Sequence, residues 1–159
     1  MIGWKRTHVT DRFCDTNILL YLLSADEAKA DIAEETLAAG ATISVQVLNE
    51  FAAVALRKLG MTVAEVRDAL EPISAVCKIV PITVEVHKRG LLVAERYRLP
   101  IYDALIIAAA LDANCSTLYT EDLQDGQIIE NKLAIRNPFR NQPPHHPLPI
   151  TSHSSRNHP

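Results

Sequence analysis

The sequence predicts an α/β fold, in which a small parallel β-sheet is sandwiched between helices. Short β-branched or apolar segments alternate along the chain with segments of helical periodicity, a pattern typical of parallel sheets covered on both faces. The length of 159 residues suits one domain, and a hydrophobic content of 48% is enough for a core. We therefore expect one unit built from strand–helix repeats.

The N-terminal part predicts one strand and two helices. Residues 1–11 are polar without periodicity, so we expect a loose leader there. Residues 12–15 predict a short strand, and residues 18–23 are apolar and compatible with a helix. Residues 26–39 are rich in Ala and Glu and predict a second helix, with Gly40 as its C-terminal stop.

The middle of the chain continues the alternation. Residues 41–45 include β-branched side chains and predict a strand. Residues 46–59 carry apolar side chains at the i, i+3, i+4 spacing of a helix. Thr62 and Glu65 form a capping-box pattern, which predicts a helix reaching about residue 75.

The C-terminal part predicts two more helices and three strands. Residues 78–81 are a candidate short strand, and residues 83–98 predict a helix. Pro100 separates that helix from the next one, over residues 102–113. The remaining predicted strands cover residues 115–120 and 133–136.

The end of the chain changes character. Six of the nine prolines lie from Pro138 onward, together with four of the six histidines. Such a composition cannot bury enough apolar surface to offset the entropy of ordering it. We therefore predict a folded domain over residues 12–139 and a disordered tail over residues 140–159. A metal site built from the tail histidines is a lesser alternative, because those ligands lack a supporting fold.

Net charge, cysteine content and the length of apolar runs argue against several classes of protein. A net charge of −3 does not favour broad electrostatic capture of nucleic acid, although a bound metal or a local basic patch can reverse the local sign. The cysteines Cys14, Cys77 and Cys115 are odd in number and widely spaced, which argues against a disulfide framework. The longest apolar run, residues 104–111, is too short for a membrane span. Without a recognisable signal peptide, we expect a cytoplasmic protein.

Four acidic residues lie beside apolar segments of the predicted strands and helices, at positions where apolar side chains would be usual. Asp15 ends the first strand, and Asp122 follows the strand that ends at Thr120. Glu50 lies one turn into its helix, and Asp103 lies in the first turn of another. In a parallel sheet these positions share the edge at which the strands end. Carboxylates that lie close together repel one another, so a bound cation would stabilise the cluster. Ligands that are all oxygens suit Mg²⁺ or Mn²⁺.

Each acid also has an ordinary structural explanation. Asp15 could serve only as a helix N-cap, and Asp103 could serve only as the capping acid of a buried helix. Glu50 could be a solvated helix residue, and Asp122 could belong to a polar loop. Their joint appearance at equivalent ends of elements favours a shared site.

Four blocks of the chain resemble one family. They are DTN at 15–17, SVQVLNEF at 44–51, YDALI at 102–106 and LYTEDLQ at 118–124. In this order and spacing, over residues 12–139, they are similar to PIN domains, and most of all to the VapC-type ribonuclease toxins of bacterial toxin–antitoxin pairs. The resemblance implies a parallel α/β/α fold that cleaves RNA with Mg²⁺ or Mn²⁺.

The resemblance also implies roles for individual residues. Asp15, Glu50, Asp103 and Asp122, here called the acidic quartet, match the acids that hold the metal, with Asp15 and Asp103 as the most direct ligands. It further implies supporting polar groups and one auxiliary acid, namely Thr16, Asn17, Thr120 and Asp125. As partners it implies an antitoxin protein and a second copy of the chain. The many apolar residues of the helices over 46–59 and 62–75 suggest a surface for such a homodimer.

Two other functions stay open at this point. An aspartate-nucleophile phosphatase would use Asp15, but such enzymes need a second acid two residues later, where this chain has Asn17. A catalytically silent PIN-like protein that binds RNA or a partner is the other alternative. It usually shows loss of the acids, whereas all four are present here. His8 and His87 lie away from the four blocks and are expected at the surface.

Overall fold

Strands and helices alternate along residues 11–140, the part of the chain that the computed structural model describes. The predicted leader up to residue 10, the predicted tail from residue 141 and His8 lie outside the described residues. In chain order the elements are β1 (Arg12–Cys14), α1 (Thr16–Tyr21), α2 (Glu27–Ala38), β2 (Ala41–Ser44), α3 (Val45–Arg57), α4 (Val63–Val76), β3 (Cys77–Val80), α5 (Val84–Tyr97), α6 (Ile101–Asp112), β4 (Thr117–Tyr119), β5 (Ile128–Ile129) and β6 (Leu133–Arg136).

The strands form one sheet in the order β3-β2-β1-β4-β6-β5. All neighbours pair in parallel except β5, which pairs with β6 in the antiparallel direction. The predicted α/β sheet with helices around it is therefore confirmed, and the short antiparallel β5 is an addition that the sequence did not predict. Because β1, β2 and β4 are parallel, they end at the same edge, here called the carboxyl edge.

Side-chain caps set the helix starts. The hydroxyl of Ser44 accepts a hydrogen bond from the backbone N–H of Val47 at 3.4 Å, so α3 begins directly after β2. For this reason Val45, predicted as the last strand residue, is the first residue of α3. The predicted capping box of α4 is present, with Thr62 and Glu65 each bonded to the other's backbone N–H.

The core lies between the sheet and the helices that cover it. Helix α6 is apolar on all sides and is buried from Ala104 to Leu111. It packs against α5 at Gly90, where an added Cβ would lie 2.6 Å from Leu105 Cδ2.

Within residues 11–140 no helix is long and apolar enough to span a bilayer. Cys14, Cys77 and Cys115 are buried and form no disulfide with one another, and His87 is exposed.

Candidate active site

Asp15 is the buried centre of the acidic quartet. It follows β1 directly at the carboxyl edge and caps the first turn of α1, because its Oδ1 accepts the backbone N–H of Thr16 at 2.6 Å. Its Oδ2 accepts the hydroxyl of Thr120 at 2.7 Å, just past β4. Only 3% of Asp15 is exposed. Asp15 is thus an N-cap, as its ordinary structural explanation supposed, and its Oδ2 is also fixed towards the end of β4.

Glu50 is joined to the same turn through Thr16. The hydroxyl of Thr16 donates to Glu50 Oε2 at 2.6 Å, while Gln46, one turn earlier in α3, donates to Oε1 at 3.3 Å. Glu50 is half-buried. It is therefore not a freely solvated helix residue, which was its ordinary structural explanation. The start of α1 and the second turn of α3 therefore present two carboxylates beside each other.

Asp122 is held by Asn17, the third residue of the same turn. Asn17 Nδ2 donates to Asp122 Oδ2 at 3.0 Å, and Asn17 Oδ1 accepts the backbone N–H of Glu121 at 3.3 Å. The backbone N–H of Asp122 donates to the hydroxyl of Thr120 at 3.1 Å. Asp122 is itself exposed to solvent. The loop after β4 is therefore tied to α1 at the carboxyl edge.

Asp103 completes the quartet from the first turn of α6. It is half-buried, and burial together with the charges of Asp122 and Glu50 raises its pKa. The short link from α6 to β4 places the end of this helix at the opposite edge of the sheet. Its first turn therefore points back to the carboxyl edge, which explains the electrostatic contact with the other acids.

The same forces act more strongly on Asp15. Burial raises its pKa to about 6, hydrogen bonds from Thr120 and Thr16 oppose that rise, and the charges of Asp122 and Glu50 add to it. Ionised Asp15 is therefore costly in the folded chain without a cation. The electrostatics of the site favour a positive charge among these four acids.

The donor set fits a hard divalent cation. All quartet donors are carboxylate oxygens, with hydroxyl and amide groups around them, and this suits Mg²⁺ or Mn²⁺ rather than zinc. Among residues 11–140, no three acidic, His or Cys side chains are already gathered closely enough to hold a metal. Mg²⁺ commonly keeps several waters and is held by one or two carboxylates, so a site for it does not require three gathered side chains.

Asp125 has a different environment from the quartet. Its Oδ1 accepts the backbone N–H of Asn137 at 2.8 Å, and its Oδ2 pairs with Arg140. These two bonds lower the pKa of Asp125. Its carboxylate therefore anchors the segment after β6, and its role as an auxiliary acid stays a prediction.

A second group of side chains beside the site was not predicted. Tyr21 hydrogen-bonds to Glu121, and Lys29 Nζ lies 3.0 Å from the Tyr21 hydroxyl and 3.3 Å from Glu121 Oε1. The Tyr21 ring packs on Phe139 with centroids 4.5 Å apart. These contacts brace the residue that precedes Asp122. One signal for these contacts is present in the sequence, namely the position of Glu121 next to Asp122. The contacts themselves could not be predicted, because Lys29 and Phe139 are distant along the chain.

Replacing Thr120 tests the electrostatics of Asp15. We expect Thr120→Val to raise the pKa of Asp15 further above its usual range, since the hydroxyl that stabilises the ionised carboxylate is lost. Carboxyl-carbon NMR titration in EDTA measures this directly. Thr36→Val is the matched control, because the Thr36 hydroxyl donates within α2, to the carbonyl of Ile32. An unchanged or lower Asp15 pKa in Thr120→Val would contradict the assignment.

The fold and this edge define a class: parallel α/β proteins with clustered acids where the strands end. A family comparison matches residues 12–124 to the PIN domain. The chain belongs to the PIN-domain family. The family prediction is thereby confirmed.

Solved structures with the same fold come from toxin–antitoxin systems. A toxin–antitoxin complex from Klebsiella pneumoniae aligns with a TM-score of 0.61 at 22% identity, covering 80% of this chain and 97% of that one. VapC20 from Mycobacterium tuberculosis, described as a sarcin–ricin loop cleaving toxin, gives 0.59 at 19%, covering 70% and 89%. VapBC2 from Rickettsia felis, bound to promoter DNA, gives 0.57 at 23%, covering 79% and 97%. A search of curated protein sequences gave no match. At these identities the structures establish a shared fold.

Proposed function

We propose that this chain is a Mg²⁺- or Mn²⁺-dependent endoribonuclease and the toxin of a toxin–antitoxin pair. The observation that carries the proposal is the buried Asp15, whose pKa burial raises to about 6 beside the charges of Asp122 and Glu50. Ionising a buried carboxylate beside other negative charges costs free energy, and carboxylates with pKa values perturbed in this way are concentrated at functional sites. Membership of the PIN-domain family and the shared fold with toxin–antitoxin complexes support the same function.

In this proposal the quartet divides its work. Asp15 and Asp103 would hold the cation, and Glu50 and Asp122 would contact it directly or through water, one of them orienting the attacking water. When bound, the cation supplies charge neutralisation at the phosphate and lowers the pKa of water. The chain's own part is to keep these oxygens in place.

The supporting residues provide that placement. Thr120 fixes one Asp15 oxygen, Thr16 bonds Glu50, and Asn17 bonds Asp122. A hydrogen bond to each of these three carboxylates removes rotational freedom before substrate arrives, and losing such a bond to a metal-binding group typically changes metal affinity or activity by about 10–100-fold. We therefore assign Thr16, Asn17 and Thr120 as positioning residues.

The proposed partners are an RNA substrate, an antitoxin and a second copy of the chain. A cleft of about 330 Å³ lies beside Asn17 and is lined mainly by apolar side chains, among them Leu20, Val54 and Leu59. Such a cleft suits an apolar antitoxin segment whose Arg or Lys reaches Asp15 or Asp103 and displaces the cation by charge competition. A toxin active against RNA in its own cell acts in the cytoplasm and needs this blocker.

The domain limits are part of the proposal. Residues 12–139 would carry the nuclease, and residues 140–159 would be dispensable for chemistry. Arg140, at the boundary, pairs with Asp125, and Phe139 is buried. Residues 141–159 lie outside the described part of the chain.

The alternatives are separated by chemistry. A phosphatase that uses Asp15 as a nucleophile needs a proton donor two residues on, where Asn17 instead bonds Asp122. A silent RNA-binding protein would bind RNA without cutting it.

The metal requirement is tested by adding and removing the ion. We expect purified protein to cut a structured RNA pool with Mg²⁺ or Mn²⁺, to stop in excess EDTA, and to recover when Mg²⁺ is restored. The control is the Asp103→Asn variant purified in the same way, which measures contaminating nuclease. Undiminished cleavage in EDTA by the wild-type chain alone would refute the metal mechanism, and binding without cleavage would favour the silent alternative.

A further inference from the structure

Glu121 and Asp122 are adjacent acids in the loop after β4, and their carboxylates are held at opposite ends of α1. Asp122 Oδ2 accepts a hydrogen bond from Asn17, in the first turn of that helix. Glu121 Oε2 instead accepts the hydroxyl of Tyr21, the last residue of the helix. Either carboxylate is chemically suited to a hard divalent cation. In this structure, however, Asp122 belongs to the quartet and Glu121 is turned away from it.

Lys29, in the first turn of α2, is the second residue that holds Glu121. Its Nζ donates to Glu121 Oε1 at 3.3 Å and to the Tyr21 hydroxyl at 3.0 Å. Both carboxylate oxygens of Glu121 are therefore bonded. The Lys29 ammonium also lies 4.6 Å from the centre of the Tyr21 ring and 5.8 Å from that of Phe139, within the range of cation–π attraction. Tyr21, Lys29 and Glu121 together are here called the brace.

The backbone of Glu121 stays close to the quartet although its side chain does not. The Glu121 N–H donates to Asn17 Oδ1 at 3.3 Å, and Nδ2 of the same amide bonds Asp122. A glutamate side chain is one methylene longer than that of aspartate, so a released Glu121 could turn about its Cα towards the quartet. A fifth carboxylate there would add to the repulsion and compete for the cation. The contacts that separate the two acids of the loop are those of the brace.

We propose that Tyr21 and Lys29 are positioning residues that keep the Glu121 carboxylate away from the cation. Asp122 is then the acid of this loop that reaches the cation, directly or through water. The inference rests on the proposed function, because it concerns the cation of that site. Phe139 supports the brace from the end of the folded domain, with its ring 4.5 Å from that of Tyr21. Loss of the brace should therefore exchange one acid for the other at the cation.

The test removes the brace and asks which acid binds the ion. Tyr21→Phe/Lys29→Met takes away both donors and keeps the aromatic ring and an unbranched side chain. Mn²⁺ binding is titrated by electron paramagnetic resonance without RNA. With the brace intact, we expect Asp122→Asn to weaken Mn²⁺ binding by about tenfold or more and Glu121→Gln to leave it nearly unchanged. Without the brace, we expect Glu121→Gln to weaken binding by about tenfold and Asp122→Asn to have the smaller effect.

A similar arrangement away from the site supplies the matched control. Arg89 Nη2 lies 3.1 Å from Glu130 Oε2, and the Tyr97 hydroxyl accepts the backbone N–H of Glu130 at 3.0 Å. Glu130 precedes β6, at the edge of the sheet opposite the carboxyl edge. The side chains of this ion pair are 32% and 28% exposed, against 26% and 33% in the brace. Tyr97→Phe/Arg89→Met should therefore leave the Mn²⁺ responses of the two loop acids as they are in the wild type.

The outcomes separate this inference from the proposed nuclease. Circular dichroism melting checks folding, and the single variant Lys29→Met, which keeps the Tyr21 hydroxyl, should show the same exchange in weaker form. Equal responses of the two acids with and without the brace overturn the inference, as does an exchange caused by the control. A wild type that binds no Mn²⁺ overturns the metal site and the inference together. Exchange of the acids in a chain that cuts no RNA supports the inference and refutes the nuclease alone.

Discussion

Asp103→Asn should reduce metal-dependent RNA cleavage by roughly a hundredfold to a thousandfold, the cost typical of removing one essential electrostatic group from an active site. The amide keeps the size of the side chain but removes the charge that would hold the cation. Burial and the neighbouring charges raise the pKa of Asp103, so the ionised form is unfavourable in the metal-free fold. We therefore expect the free energy of unfolding not to fall.

The matched control lies on the same helix. Asp112→Asn makes the same change at the exposed end of α6, away from the carboxyl edge, and should leave cleavage unchanged. Single-turnover cleavage and urea unfolding of both variants give the comparison. Wild-type turnover by Asp103→Asn would remove Asp103 from the site, and equal loss in both variants would point to damage of α6 instead.

Asp15→Asn should stabilise the metal-free protein above neutral pH and abolish its activity. The folded pKa of Asp15, about 6, lies above the ordinary value of 3.8, so the folded state binds more protons between these values. Wild-type stability therefore falls as pH rises from about 4 to 6 and stays lower above that range. A shift of this size corresponds to at most about 3 kcal/mol, and the poorer bond to Thr120 reduces the gain to roughly 1–2 kcal/mol.

Chemical unfolding in EDTA from pH 4 to pH 8 measures this effect. The stability difference between Asp15→Asn and wild type should grow with pH, and Asp112→Asn should show no comparable growth. Added Mg²⁺ should then stabilise the wild type but not Asp15→Asn, because a ligand stabilises only a fold that binds it. A difference that is independent of pH would show that Asp15 is not destabilised by ionisation.

The sequence predicted most helices and strands because their capping residues and apolar patterns match the way in which they pack in the fold. The capping box at Thr62 and Glu65, the apolar run of α6 and the strand over Leu133–Arg136 appear as expected. Element ends were less predictable. Helix α5 ends at Tyr97 because Arg98 adopts a left-handed conformation with φ of 54°. No sequence pattern predicted this conformation. The two-residue β5 is too short to show any period.

The sequence predicted which acids lie at the carboxyl edge but not the hydrogen bonds that connect them. Strand ends and helix starts placed the quartet at one edge, and the electrostatic coupling of Asp15 and Asp103 to Asp122 and Glu50 agrees with that. The bonds of Gln46 to Glu50 and of Lys29 to Glu121 depend on rotamers and on contacts between distant segments. Neither follows from spacing along the chain.

The turn Asp15-Thr16-Asn17 has a consequence for the order of events during synthesis. Its side chains bond partners 34 to 105 residues later in the chain, namely Glu50, Thr120 and Asp122. The turn therefore leaves the ribosome long before its partners do, and its side chains lack these hydrogen bonds until the partners follow. Contacts of such long range form late in folding. For the nuclease proposed above, we therefore expect a growing chain to leave RNA uncut until β4 has emerged, which would give the proposed antitoxin time to accumulate before the first active molecule exists.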